Sequence, residues 1–243
     1  MEVTLSVAQA SRDWWEFAPA LGGAIIGALA GGIPAWWLAR RNSNEMLVRD
    51  AAARKEQEKA AAFRVFVKLL TLTNSVHGLR NHIRASLALR EAPERRLMEP
   101  WMVVIPMVGF ADEGAIHFEP DEFAIFYAAG ERQFLHDLML MDRRHASTFS
   151  AFQDYCERRE AFVAVAPTPD KYEGTVGGAD VTREQAMRLR MYTIPLNNIL
   201  EALGPSLEED WKAAKSVAER FGPIVKRYFG DPNFAGLEIP DED

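Results

Sequence analysis

The chain has 243 residues, 26 % of them charged, with a net charge of −7 and a pI near 5.4. That balance argues against a general nucleic-acid binder. A single cysteine, Cys156, excludes an intramolecular disulfide framework and suits a reducing compartment.

Residues 1–16 are too few to fold alone and read as a short tail. Residues 17–39 form an uncharged, mostly apolar run of twenty-three. As a helix this run is roughly 34 Å long, enough to cross a hydrocarbon core of about 30 Å. Trp14 and Trp15 stand at one end and Trp36 and Trp37 at the other, the placement that amphipathic rings take at headgroup depth. A core helix of this length without a charge is uncommon. A cleaved signal peptide fits less well. Glu2, Arg12, Asp13 and Glu16 stand where a positive n-region would be, and apolar sequence continues past Ala28-Leu29-Ala30. The expectation is one uncleaved transmembrane helix.

Arg40 and Arg41 follow the run, then Arg49, Arg54, Lys55 and Lys59, whereas Arg12 is the only cationic side chain before it. Lys and Arg near a span are held in the cytoplasm, so the N-terminus is expected outside and the C-terminal domain inside, at a cell (inner) membrane. Gly23, Gly27 and Gly31 repeat every four residues and share one helix face, a groove where another helix backbone can approach closely. They predict self-association or packing on a partner's span. Pro34 predicts a kink near the inner end. The run holds no ionisable or amide side chain, which disfavours a proton relay within it.

Residues 40–62, after an Asn42-Ser43-Asn44 joint, are charged and alanine-rich, a helical stalk without a wide apolar face. From Ala62 the pattern changes. Ala62, Val65, Leu69, Leu72, Val76, Leu79 and Ile83 alternate steps of three and four, the mark of a core-facing helix. Residues 93–118 read as irregular, with at most a short strand or edge hairpin because Pro106 interrupts the apolar stretch. Pro120-Asp121-Glu122 starts a short helix and Gly130 ends it. A long helix follows, with the stripe Phe134, Leu138, Met141, His145, Phe149, Phe152, Cys156 and Val163.

Residues 167–180, with three glycines and two prolines, read as a loop. Thr182 and Gln185 form a capping box for a helix with the stripe Leu189, Tyr192, Leu196, Ile199 and Leu203, bent at Pro195. Ser206 and Glu209 predict a second capping box and a last helix with the stripe Leu207, Trp211, Ala214, Ala218, Phe221, Val225 and Tyr228, broken near Gly222-Pro223. Residues 231–243 are an acidic tail, expected to be mobile. The predicted fold is all-α: a transmembrane helix (17–39), a juxtamembrane helix (40–62) and one cytoplasmic helical bundle (63–230). Leu69, Leu138, Phe152, Leu203, Trp211 and Phe221 are its predicted core.

The search for chemistry returns little. His77 and His82 are five apart, off the spacing that lets two ligands share a helix face, and no HExxH or Glu-x-x-His pair occurs. There is no GxxxxGK loop, no GxGxxG and no GxSxG elbow. No catalytic residue, cofactor or metal is therefore assigned, and an enzyme is not expected. Asp142, His145 and Arg159 are the candidate polar cluster on the long helix, read either as a ligand pocket or as a buried, hydrogen-bonded pair that fixes helix register. Cys156 lies near Arg158 and Arg159, which would lower its pKa if they faced it. The expected function is that of a membrane-anchored interaction or scaffold protein. Its partners would be the lipid bilayer, a second copy or a partner's transmembrane helix, and a cytoplasmic protein; a bacterial defence or stress role is one example. The alternative is a small homo-oligomeric pore or membrane-perturbing effector gated by the cytoplasmic bundle; the apolar span weighs against a constantly wet pore.

Overall fold

The computed structural model describes residues 14–107, 116–173 and 176–240, except for the side chains of 14–22, 24–26, 28, 29, 33, 171–173, 176 and 177. The elements in order are α1 (Trp14–Ala88), α2 (Pro100–Val103), α3 (Pro120–Ala128), α4 (Arg132–Val165), β1 (Lys171–Glu173), β2 (Val176–Gly178) and α5 (Arg183–Phe229). The fold is helical. Among the described residues a small hairpin, β1 paired antiparallel with β2, lies in the stretch expected to be a loop. The chain divides into two units, Met1–Gln57 and Glu58–Asp243, and α1 contributes to both.

In the first unit α1 runs without a break through Pro34 and through the expected Asn42-Ser43-Asn44 joint. Among the described residues no helix is long and apolar enough to cross a membrane. The expected span lies inside α1, but the side chains of 17–22, 24–26, 28, 29 and 33 fall outside the described residues.

In the second unit the α1 stripe is buried as its spacing requires: Ala62, Val65, Leu69, Leu72, Val76, Leu79 and Ile83 all face inward. So do all six residues of the predicted core. Two 3₁₀ turns, Leu89–Glu91 and Pro93–Arg95, lead into α2, and no strand forms at 93–107 or 116–118. The start of α3 is a capping box in which the Glu119 N–H donates to Glu122 Oε2 at 2.7 Å. Its end is a Schellman turn. The Glu131 N–H reaches the Phe126 carbonyl at 2.9 Å across Gly130, whose φ of +77° a Cβ would oppose.

Four expectations on α5 and beyond are corrected. Ser206 and Glu209 do not cap a new helix: the Ser206 hydroxyl donates to the Ala202 carbonyl at 3.0 Å inside a helix that continues. Pro195, Pro205 and Pro223 all lie within α5. Each costs about 3 kcal/mol. Burial of Leu196, Leu200, Leu203, Leu207, Ile224 and Val225 on either side, at roughly 1.5–3 kcal/mol each, outweighs that cost. The inward face of its first half is Thr193, Leu196, Leu200 and Leu203, with Tyr192 turned outward. The acidic tail packs back on the core through Phe234, Leu237 and Ile239, with Phe234 stacked 5.5 Å from Phe229.

That return depends on Gly222, where a Cβ would lie 3.0 Å from the Gly236 Cα. Gly222→Ala should therefore destabilise the full chain by about 1–3 kcal/mol through overpacking, although alanine is the better helix former by about 1 kcal/mol. In a chain ending at Gly230 the same change should be neutral or stabilising. Thermal melts of the four proteins check this; an equal effect in both backgrounds would mean that the contact carries no weight.

Candidate functional site

The apolar core of the second unit is not continuous. One cluster holds Ala61 to Val76 of α1, Phe134 to Met141 of α4 and Trp211 to Phe229 of α5. The other holds Leu79 and Ile83 of α1, Phe149, Phe152 and Tyr155 of α4, and Leu196 to Leu207 of α5. Each helix crosses from one cluster to the other within a turn or two, and polar residues stand at the crossing: His77 and Arg80, Asp142, Arg144, His145 and Thr148, and Glu208 to Asp210.

These groups form a belt. Asp210 is buried on α5, and Thr148 of α4 donates its hydroxyl to Asp210 Oδ2 at 2.5 Å. Arg144 bonds Glu209 at 2.6 Å and stands 3.6 Å from Asp210. From α1, the buried Arg80 bonds Glu208 at 2.9 Å, and its guanidinium lies 5.7 Å over the Trp211 ring. The His77 ring packs 4.7 Å from Trp211 and is held by Asn81 at 2.9 Å. Burial pushes the Asp210 carboxyl above the ordinary carboxylate range; the Thr148 hydroxyl and then Arg144 pull it back.

His145 lies one turn before Thr148. It is 3 % exposed, its ring is 5.4 Å from Phe149, and neither ring nitrogen has a hydrogen-bond partner among the described residues. Burial lowers its pKa; Asp142 opposes that and His117 adds to it. Asp142 itself accepts from His117 Nδ1 at 3.3 Å.

Of the expected polar cluster, Asp142 and His145 share this layer, but Arg159 does not. Its guanidinium donates to the Trp101 carbonyl and sits 5.7 Å over the Trp101 ring, two heptads further along α4. It belongs to a clamp on the α2 segment. There Tyr155 donates to the Val104 carbonyl at 2.6 Å, and Glu99 accepts from Trp101 Nε1 and Asn197, each at 2.8 Å. Cys156 is half-buried, and burial, helped by Glu160, pushes its thiol up to about 11, so the thiolate needed for nucleophilic chemistry is disfavoured. Val163 of the expected stripe is exposed.

In the first unit, Trp36 and Trp37 are exposed, with Arg40 5.4 Å over Trp36 and Arg41 5.8 Å over Trp37. The side chains of Trp14 and Trp15 lie outside the described residues. Gly23, Gly27 and Gly31 are open: a Cβ at any of them meets nothing within 4 Å. Among the described residues no group of three or more His, Cys, Asp or Glu is arranged to hold a metal ion.

Sequence reasoning missed Thr148, Asp210, Arg80 and Tyr155. A signal existed for two of them: Thr148 is three residues after His145 on the same face, and Asp210 is three after Leu207. A second feature is an exposed row on α5, Met187, Met191 and Ile194, at the i, i+4, i+7 spacing of a helix face. Beside it an open groove of about 510 Å³ is lined by Arg158, Ala161, Arg188, Met191, Tyr192 and Pro195.

Thr148→Val should cost about 1–3 kcal/mol, because it leaves a buried carboxylate oxygen without its donor. Asp210→Asn should cost a similar amount, and the double variant less than the sum. Urea denaturation of the four proteins gives the coupling; strict additivity would show that the two side chains do not interact. The sequence matches no protein-family model, and no curated protein and no solved structure resembles it significantly.

Proposed function

We propose that this protein is a membrane-anchored helical scaffold that self-associates through its glycine face and presents its helical unit to other proteins. The observation that carries the reading is the uncharged run at 17–39, bounded by Trp14-Trp15 and Trp36-Trp37 and followed by Arg40 and Arg41. The exposed rings of Trp36 and Trp37, each under an arginine one turn on, are the pairing expected at a headgroup boundary. The open faces of Gly23, Gly27 and Gly31 support helix packing, since no described residue fills them. For the second unit, the exposed Met187, Met191 and Ile194 row supports docking rather than catalysis: thioether side chains adapt to a partner surface.

Reporter fusions test the anchor. A fusion after residue 60 should be active only with a cytoplasmic reporter, and one before Trp14 only with an external reporter. Release of the protein into the aqueous fraction of broken cells would overturn the reading.

Assembly has a sharper test. Gly27→Ile should lower cross-linked oligomer yield in membranes, because a branched side chain holds two backbones apart at the middle of the groove. Gly22→Ile, about 100° round the helix, should matter less. Equal yields in the parent and both variants would remove the glycine face from the assembly.

A further inference from the structure

The belt of the second unit has a property beyond a scaffold's needs. We infer that the His145 layer is an acid-sensitive latch: protonation of this buried imidazole loosens α4 from α5 at the seam between the two apolar clusters.

Neither nitrogen of His145 has a hydrogen-bond partner among the described residues, and Asp142 only partly offsets the burial that disfavours its charge. Every carboxylate facing the seam already has a donor. From α5, Glu208 is held by Arg80, Glu209 by Arg144, and Asp210 by Thr148. From α4 itself, Asp142 is held by His117, which comes from the segment before α3. From α1, the titratable and charged groups are His77, packed on Trp211, and Arg80 and Arg84, both facing Glu208, and none offers an anion. A proton on His145 would therefore add a buried cation without a hydrogen bond, flanked by Met141 and Phe149, at the level where the two apolar clusters part. The strain is relieved by opening the seam, since α4 and α5 meet there through side-chain contacts and no disulfide crosses it.

The sign follows from linkage. His145 has its pKa lowered in the closed state, chiefly by burial, below the ordinary 6.5. Above that value both closed and open states are neutral there, and pH has no effect. As pH falls below about 6.5 the open state binds a proton that the closed state refuses, so opening becomes easier, at most tenfold per pH unit for one proton. Asp210 acts oppositely. Its raised pKa lets the closed state bind a proton first, so it favours closure as pH falls towards the ordinary 3.8. The latch thus works between neutrality and that acid region.

Hydrogen exchange of the full chain in detergent micelles, corrected for intrinsic rates, tests this at pH 7.5, 6.5 and 5.5. Peptides covering residues 142–152 and 203–211 should open progressively below pH 6.5, by up to tenfold per unit, while residues 61–72 stay protected. His145→Met should abolish the dependence, and His117→Gln should retain it. If His145→Met does not fold, imidazole NMR of the parent protein decides: His145 should titrate below the ordinary 6.5 in the folded protein. An unshifted titration there would overturn the latch. So would the same pH dependence in His145→Met, or uniform acceleration along α1 and α5, which would mean global unfolding.

Discussion

The hydrogen bond between Thr148 and Asp210 fixes the level at which α4 meets α5, and both halves of the core are built outward from that level. Apolar stripes alone specify a face and not a height. A helix sliding by one turn past its neighbour still meets leucine, valine and phenylalanine. A buried carboxylate that must find one hydroxyl, beside Glu208 and Glu209 that must each find an arginine, tolerates no such slip. Whether such groups add net stability is a separate matter, because burial opposes the ionised Asp210. Their effect is to select one register among several of similar packing energy.

The same competition between local and tertiary terms governs α5. Three prolines, a Ser-x-x-Glu signal and Gly222 each favour an interruption, yet the helix is unbroken from Arg183 to Phe229. Its inward residues contact both clusters, so breaking it would expose apolar surface on either side of the break. Gly222 is used for something else, a close crossing by Gly236 that lets the chain end lie against Phe229.

The two ends of the second unit differ in finish. Around α3 and the return of the C-terminal segment, aromatic rings interlock: Phe126 with Phe134 at 4.7 Å, and Phe229 with Phe234. At the other end the last turns of α4 and the first turns of α5 leave Val163, Val165, Met187, Met191 and Ile194 in the open. Scattered exposed apolar side chains need no explanation, but a row in helical register beside a groove does. The proposed scaffold role uses this end for partners and the first unit for anchoring.

The amino-acid sequence by itself determined the helical class, the burial of the α1 stripe and the Phe134-to-Phe152 stripe, the ends of α3 and the cap at Thr182. These follow from periodicity and from capping chemistry, both of which act within a few residues. It also placed His145 in the interior and linked it with Asp142. Only the tertiary structure decided the rest. Arg159 shares a helix face with His145, but the Trp101 carbonyl, supplied by a segment 58 residues away, draws it into a different contact. Thr193 rather than Tyr192 faces inward, because Thr193, Leu196, Leu200 and Leu203 keep the three-and-four spacing of one face while the more apolar Tyr192 lies beside it. Thr148 and Asp210 are 62 residues apart, and nothing local to either says that they meet. Pairings of that kind are set by the packing of whole helices, a sum over many small contacts that no short stretch of sequence contains.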